Sequence, residues 1–208
     1  EVARTSTTDD ATTATAIAVG KELKKTMIIC KDAPGFVVNR LLTRFMGEVT
    51  DAVDEGTTPA VADSAMMQIG FPMSPFQLLD LVGPGVALHV SETLHNNLGP
   101  RYRISPTMQR MVKEGVRYFY IKNEDGTVTP NPAALALVEQ GSTPSTAEQV
   151  RARALKALAE EARAMLDEGV VSTPAEIDLC MLMGAGWPMH LGGILPYLDR
   201  EGISETVT

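Results

Sequence analysis

Apolar residues recur along most of the chain at the spacing of one helix face. Leu41, Leu42, Phe45, Met46, Val49, Ala52 and Val53 follow an i, i+1, i+4, i+5, i+8 rhythm, which lays a continuous stripe along a helix of 3.6 residues per turn. Gly56 supplies the stop, and Thr58-Pro59 restarts a second helix with a cap and a proline at its first position. Apolar stretches at 60–69, 76–81 and 86–94 continue the helical pattern. Upstream, residues 9–25 open on Asp9 and Asp10 and close on lysines, the charge order that suits a helix dipole. Met27–Cys30 reads as a short buried strand, stopped by Lys31-Asp32 and the Pro34-Gly35 turn. One helix and one strand form an orphan, because a strand of this apolarity needs sheet neighbours and no later stretch has the pattern to supply them.

Residues 123–146 carry the Gly, Pro, Asn and Thr of a surface connection, with a short helix expected at 133–139. Ser145-x-x-Glu148 then reads as a capping box, opening a helix whose face is Leu155, Leu158, Ala159, Ala162, Met165 and Leu166. The pattern divides the chain into 1–30, the end of an α/β domain; 31–125, a first helical unit; 126–144, a linker; and 145–208, a second helical unit.

The two helical units resemble each other. Arg40 aligns with Arg153, Leu42 with Leu155, Glu48 with Glu161, and Asp54-Glu55-Gly56 with Asp167-Glu168-Gly169. After a two-residue insertion, Pro59 and Asp63 meet Pro174 and Asp178. One further residue brings Gly70-Phe71-Pro72-Met73 onto Gly186-Trp187-Pro188-Met189. Part of this agreement follows from helix patterning alone, but shared order over about 35 residues indicates a duplicated unit. The copies differ where Asn39 faces Ala152, so any chemistry of Asn39 belongs to the first copy only.

Composition narrows the function classes. Aromatics are 5% of the 208 residues and there are 11 Met, so the core must be built of Met, Leu, Ala and Val, a mix that favours helix over strand. The net charge of −8, with no basic cluster, excludes nucleic acid as a natural partner. No apolar run approaches the roughly 18 residues of a membrane span. Cys30 and Cys180 are far apart and lack metal-ligand spacing, which fits a reducing compartment and no metal site. Gly83-Pro84-Gly85 and Gly184-Ala185-Gly186 read as turns, since neither follows a strand and opens a helix as a phosphate loop must. His190, near Gly192-Gly193, has no acidic or Cys partner at metal spacing and reads as a hydrogen-bonded structural residue.

CKDAPGFVVNRLL (Cys30–Leu42) closely resembles the segment joining the two domains of 3-hydroxyacyl-CoA dehydrogenases. MQIGFPMSPFQLLDLVG (Met67–Gly83) is similar to the helical motif that follows it in that family. WPMHLGGILPYLD (Trp187–Asp199) is similar to the tandem C-terminal repeat of the multifunctional fatty-acid β-oxidation α-subunits. The resemblance implies a mainly all-α fold: two tandem helical dehydrogenase C-terminal repeats, preceded by the leftover helix and strand of an NAD-binding Rossmann domain. It implies NAD-dependent oxidation of an acyl-CoA 3-hydroxyl, with a histidine as general base and a glutamate orienting it.

By that resemblance Glu1 takes the orienting position, although its histidine is absent from this chain, and Asn39 takes the substrate-binding position. The residue pattern alone also allows Asn39 to be a helix cap. The three histidines, His89, His95 and His190, match no catalytic position of the family, and Met183 stands where some members place a substrate-side Tyr. NAD is implied for an intact enzyme and no cofactor or metal for this chain, which begins at Glu1 rather than Met and reads as an excised piece, inactive alone. The implied partners are an acyl-CoA, the chain's own Rossmann domain and a thiolase subunit, in a bacterial cytoplasm or a mitochondrial matrix. The competing readings are an independent helical interaction module with a pseudo-dimeric repeat, and a β-hydroxyacid dehydrogenase with a helical C-terminal half.

Overall fold

A computed structural model describes residues 1–139 and 141–207. Among them are ten α-helices and four strands of three residues each, so the fold is mainly helical. The chain forms two compact units: Glu1–Leu42 with the described residues from Leu158 on, and Thr43–Ala157.

The first unit opens with β1 (Val2–Arg4), α1 (Asp10–Glu22) and β2 (Ile29–Lys31). The two strands pair in parallel, with Val2 opposite Ile29, Ala3 opposite Cys30 and Arg4 opposite Lys31. The sequence pattern predicts one strand at 27–30; the structure has two, and the second is shifted to 29–31. Three residues of Val-Ala-Arg are too few and too polar to show a periodicity, and only Cys30 of β2 is buried while Ile29 and Lys31 on either side are exposed. Asp9 caps α1 as expected, accepting the Thr12 N–H at 2.6 Å. Gly20, near the end of α1, lets the Met27 side chain pack closely against the helix, since a Cβ there would lie 2.0 Å from the Met27 sulfur.

This unit also holds the start of α2 (Val38–Asp54), the end of α8 (Ala147–Asp167), α9 (Pro174–Gly184) and α10 (Ile194–Arg200). Its core includes Val37, Leu41, Leu158, Ala162, Met165, Ile177 and Met181, with Trp187 almost fully buried and donating its indole N–H to the Gly192 carbonyl at 3.0 Å.

The second unit contains the rest of α2, then α3 (Pro59–Met67), α4 (Pro75–Val82), α5 (Pro84–Leu98) and α6 (Pro106–Lys113). The predicted stripe of α2 is its buried face: Phe45, Val49, Ala52 and Val53 are all in the core. A hairpin of β3 (Tyr120–Lys122) and β4 (Val128–Pro130) overlaps what reads in sequence as a plain connection, and α7 (Pro132–Leu135) is the short helix expected at 133–139, begun one residue earlier and ending sooner. The hairpin is fixed from a distance. The Asp80 carboxylate accepts the backbone N–H groups of Phe119 and Tyr120 at 2.6 and 2.9 Å, and the Phe119 ring packs 4.4 Å from that of Phe76.

The capping box of α8 is one residue later than predicted. Thr146 Oγ1 accepts the Gln149 N–H and Gln149 Oε1 accepts the Thr146 N–H, at 3.2 and 2.8 Å. Ser145 is occupied elsewhere, giving its N–H to Thr57 Oγ1 at 2.7 Å.

The duplicated positions form two equivalent ion clusters, one in each unit. Arg40 donates through Nε to Glu161 at 2.5 Å and through both terminal nitrogens to Glu168 at 2.7 and 3.0 Å. Arg153 donates through Nε to Glu48 at 3.1 Å and through both terminal nitrogens to Glu55 at 2.5 and 3.2 Å. Each arginine thus reads, with the same nitrogens, the two glutamates of the other copy. The aspartates that follow also correspond. Asp63 accepts the Phe76 N–H at the start of α4, and Asp178 accepts the Leu195 N–H at the start of α10, both at 2.9 Å.

Candidate functional site

Within the first unit a groove of about 760 Å³ is lined by α1, by the start of α2 and by α9. Both residues singled out in sequence border it, Glu1 at one strand end and Asn39 in the first turn of α2. Glu1 does more than border it. Its Oε1 accepts the backbone N–H groups of Val37 and Val38 at 2.7 and 3.1 Å. A carboxylate there satisfies amides that the first turn of a helix leaves unpaired, and its charge suits the positive end of the helix dipole.

The local backbone is shaped for this contact. Gly35 and Phe36 both adopt left-handed conformations, with φ of 74° and 48°. For Phe36 that conformation is uncommon and costs of order 1 kcal/mol, so the surroundings must enforce it. The turn is closed by the Phe36 N–H donating to Ala33 O at 3.0 Å, and the chain leaves it as α2.

With the start of α2 held by Glu1, the capping alternative for Asn39 falls away. Asn39 is the second residue of the helix, its side chain is exposed on the groove, and among the described residues its amide takes no hydrogen bond. An unengaged carboxamide offers two donors and an acceptor to a ligand. The second oxygen of Glu1, Oε2, likewise accepts nothing among the described residues.

The opposite wall comes from α9. Leu179 and Met183 are exposed apolar residues there, Met183 to 60%. Gly184 lets the end of α9 approach α2, since a Cβ on it would lie 2.8 Å from Val38 Cγ2. Leu179 and Gly184 carry no signal in sequence that would tie them to Asn39; only the fold joins residues so far apart. Both cysteines are poor nucleophiles. Burial pushes the Cys30 thiol up to about 11 and the Cys180 thiol up to about 12.

His190, in the same unit as the groove, is not among the residues that line it. His95 Nδ1 is 2.7 Å from the Tyr102 carbonyl, a structural contact, and His190 sits in a short 3-10 turn. Among the described residues no group of three or more His, Cys, Asp or Glu comes together as a metal site.

Comparison with known proteins shows what parts of the chain are similar to. Residues 35–119 match the model of the 3-hydroxyacyl-CoA dehydrogenase C-terminal domain. Over 96% of its length the chain is 30% identical to the fatty acid oxidation complex subunit alpha of Shewanella amazonensis. Over 100% of its length it is 28% identical to the subunit of that name in Vibrio cholerae. It covers 30% of each, so the chain spans about a third or less of the curated relatives it matches.

Among solved structures, 3-hydroxybutyryl-CoA dehydrogenase of Escherichia coli K12 superposes with a TM-score of 0.76 over 96% of this chain and 60% of that one. At 19% identity this likeness concerns the fold alone. (S)-3-hydroxybutyryl-CoA dehydrogenase of Ralstonia eutropha gives a TM-score of 0.52 at 33% identity, over 56% of this chain and 42% of that one. The helical segment 35–119 therefore belongs to the 3-hydroxyacyl-CoA dehydrogenase C-terminal domain family. Along its whole length the chain is similar to part of the alpha subunits of fatty acid oxidation complexes.

Proposed function

We propose that this chain is the substrate-side region of an NAD-dependent 3-hydroxyacyl-CoA dehydrogenase of fatty-acid oxidation, and that the groove seats the reacting end of an acyl-CoA. The observation that carries the reading is the meeting of Glu1 and Asn39 at one groove, with Glu1 capping the helix that presents Asn39. In this reading the Asn39 amide donates to the substrate thioester or hydroxyl oxygen. Glu1, held through Oε1, offers Oε2 to the N–H of a histidine from another segment and so orients that general base. Glu1 is a positioning residue and Asn39 a binding residue.

The residues present do not fit a dinucleotide. A pyrophosphate needs a glycine-rich turn and free amides where a strand passes into a helix. Here β1 passes into α1 through Thr5–Asp9 without a glycine, the Asp9 carboxylate takes the Thr12 amide, and Asp10 adds a second negative charge. The nicotinamide site is assigned to a further part of the Rossmann domain, and no chemical step is assigned to these residues through it. A parallel pair of three-residue strands is too small a sheet to stand alone, which supports docking of β1 and β2 onto further strands. A thiolase subunit is the proposed partner in the assembled complex. No helix among the described residues is long and apolar enough to cross a membrane, and the proposed setting is the bacterial cytoplasm.

Titration of acetoacetyl-CoA into the purified chain tests the reading. The chain should bind it without reducing it when NADH is added. Asn39→Ala should weaken binding by roughly three- to tenfold, the range for one lost hydrogen bond. Turnover by the isolated chain, or affinity indifferent to Asn39→Ala, would overturn it.

A further inference from the structure

The two arginine–glutamate clusters are chemically alike but differ in what lies next to them. Arg40 follows Asn39, whereas Arg153 follows Ala152. We infer that the second copy of the repeat positions Asn39 at the groove, acting through Glu161 and Glu168 on Arg40. The inference rests on the functional reading above and gives the second copy a role in substrate binding beyond packing.

Three contacts carry it. The Arg40 side chain has no exposed surface and its guanidinium is engaged by Glu161 through Nε and by Glu168 through both terminal nitrogens. A fully buried guanidinium held at all three of its nitrogens tolerates little displacement, so it fixes the rotation of the helical turn that carries Asn39. Two residues beyond Glu168, the Val170 carbonyl accepts the N–H of Lys31, the last residue of β2, at 2.8 Å. One turn of the second copy therefore holds both ends of the segment that runs from β2 into α2. Gly184, at the end of α9, then abuts Val38. Lys31, Val38 and Arg40 bracket Asn39 in sequence, and each is held by a residue of the second copy. A ligand contact is sensitive to such support, because a displacement of about 1 Å in a positioned group can cost about a hundredfold in function.

The other cluster is a built-in control. Glu55 engages Arg153 as Glu168 engages Arg40, with an additional approach from Arg103 at 3.8 Å. Glu168→Gln and Glu55→Gln make the same chemical change to equivalent ion pairs, and Glu168 is 43% exposed, so the isosteric change is tolerated. A role in stability alone predicts that Glu168→Gln lowers the unfolding midpoint without moving the Asn39 side-chain resonances of the folded chain. A positioning role predicts that Glu168→Gln weakens acetoacetyl-CoA binding by about tenfold while Glu55→Gln leaves it within about twofold, on the scale where tenfold is one step in the equilibrium constant.

The experiment is a titration of acetoacetyl-CoA into the wild-type chain and both variants, with amide NMR of the Asn39 side chain recorded without ligand. Glu168→Gln should shift or broaden the Asn39 side-chain resonances and Glu55→Gln should not. Glu168→Asp, which keeps the charge but shortens its reach, should follow Glu168→Gln in both readouts. Failure of the wild-type chain to bind would count against the functional reading, while the NMR comparison would still decide the positioning. Equal effects of Glu168→Gln and Glu55→Gln on the Asn39 resonances, or no effect of either, would overturn the inference.

Discussion

Oε1 of Glu1 lies 2.7 Å from the Val37 amide nitrogen, so the first residue of the chain caps a helix that begins thirty-odd positions later. Removing that acceptor leaves amides at the start of α2 without a partner. Glu1→Ala should destabilise the first unit by about 1 kcal/mol, the usual cost of a lost N-cap. Glu1→Gln keeps an oxygen acceptor and loses only the charge, so its effect should be smaller. Urea denaturation followed by the fluorescence of Trp187 reads this unit directly, because the chain has one Trp. Unchanged midpoints for Glu1→Ala would remove the capping role.

Asp51 in α2 makes stability depend on pH. Burial pushes its carboxyl up to about 7, with Glu48 and Asp54 adding to the shift while Arg103, 3.2 Å away, and Arg153 oppose it. Between about pH 4 and about pH 7 the folded chain holds a proton here that the unfolded chain has released. The stabilisation is therefore complete below the unfolded value and is lost as pH rises through the folded one. One such group contributes a slope of at most about 1.4 kcal/mol per pH unit. Asp51→Asn should flatten the fall in stability between pH 5 and pH 7 and leave the variant more stable than wild type at about pH 8. Denaturation midpoints across that range check it, and parallel pH profiles for the two chains would rule it out.

These features were not equally open to inspection in the sequence. The buried stripe of α2 is visible because Phe45, Val49 and Val53 obey one local period. The cap of α8 is displaced by one residue because Thr57, far upstream, takes the Ser145 amide. The β3–β4 hairpin depends on Asp80, which supplies acceptors from α4, and no local pattern encodes that. Asn39 stands out through a family motif and the contrast with Ala152, whereas Leu179 and Gly184 reach its groove only through tertiary packing. Short-range order was legible where a period or a cap carried it. Contacts between distant carboxylates and amides were not.

Arg40 and Glu161 are almost wholly buried, at 0% and 1% side-chain exposure, so removing Arg40 weakens the compensation of a carboxylate held in the interior. Arg40→Met should cost about 3–5 kcal/mol. Adding Glu161→Leu to Arg40→Met should recover a substantial part of that loss, because burying two ions is itself expensive. Thermal and urea unfolding of the single and double variants decide this. If the double variant is less stable than Arg40→Met alone, desolvation is not the controlling cost.

Asp63 and Asp178 cap equivalent helices but should differ in value. Asp63 accepts from the Phe76 N–H at 2.9 Å, the Ser74 hydroxyl at 2.8 Å and the Tyr120 hydroxyl at 2.5 Å. Asp178 accepts from the Leu195 N–H at 2.9 Å, with Gly193 so close that a Cβ there would lie 2.4 Å from its carboxyl carbon. Asp63→Ala strands several polar groups in a largely buried setting, at about 1–3 kcal/mol for each one left unsatisfied. Asp178→Ala removes a helix-start acceptor and should cost about 0.5–2 kcal/mol. The first copy should therefore lose more than the second from the same substitution, and Asp63→Asn should recover part of the loss by keeping one oxygen acceptor. Matched urea unfolding of the three variants tests the ordering, and an Asp178→Ala loss equal to or greater than that of Asp63→Ala would show that the hydroxyls of Ser74 and Tyr120 find other partners.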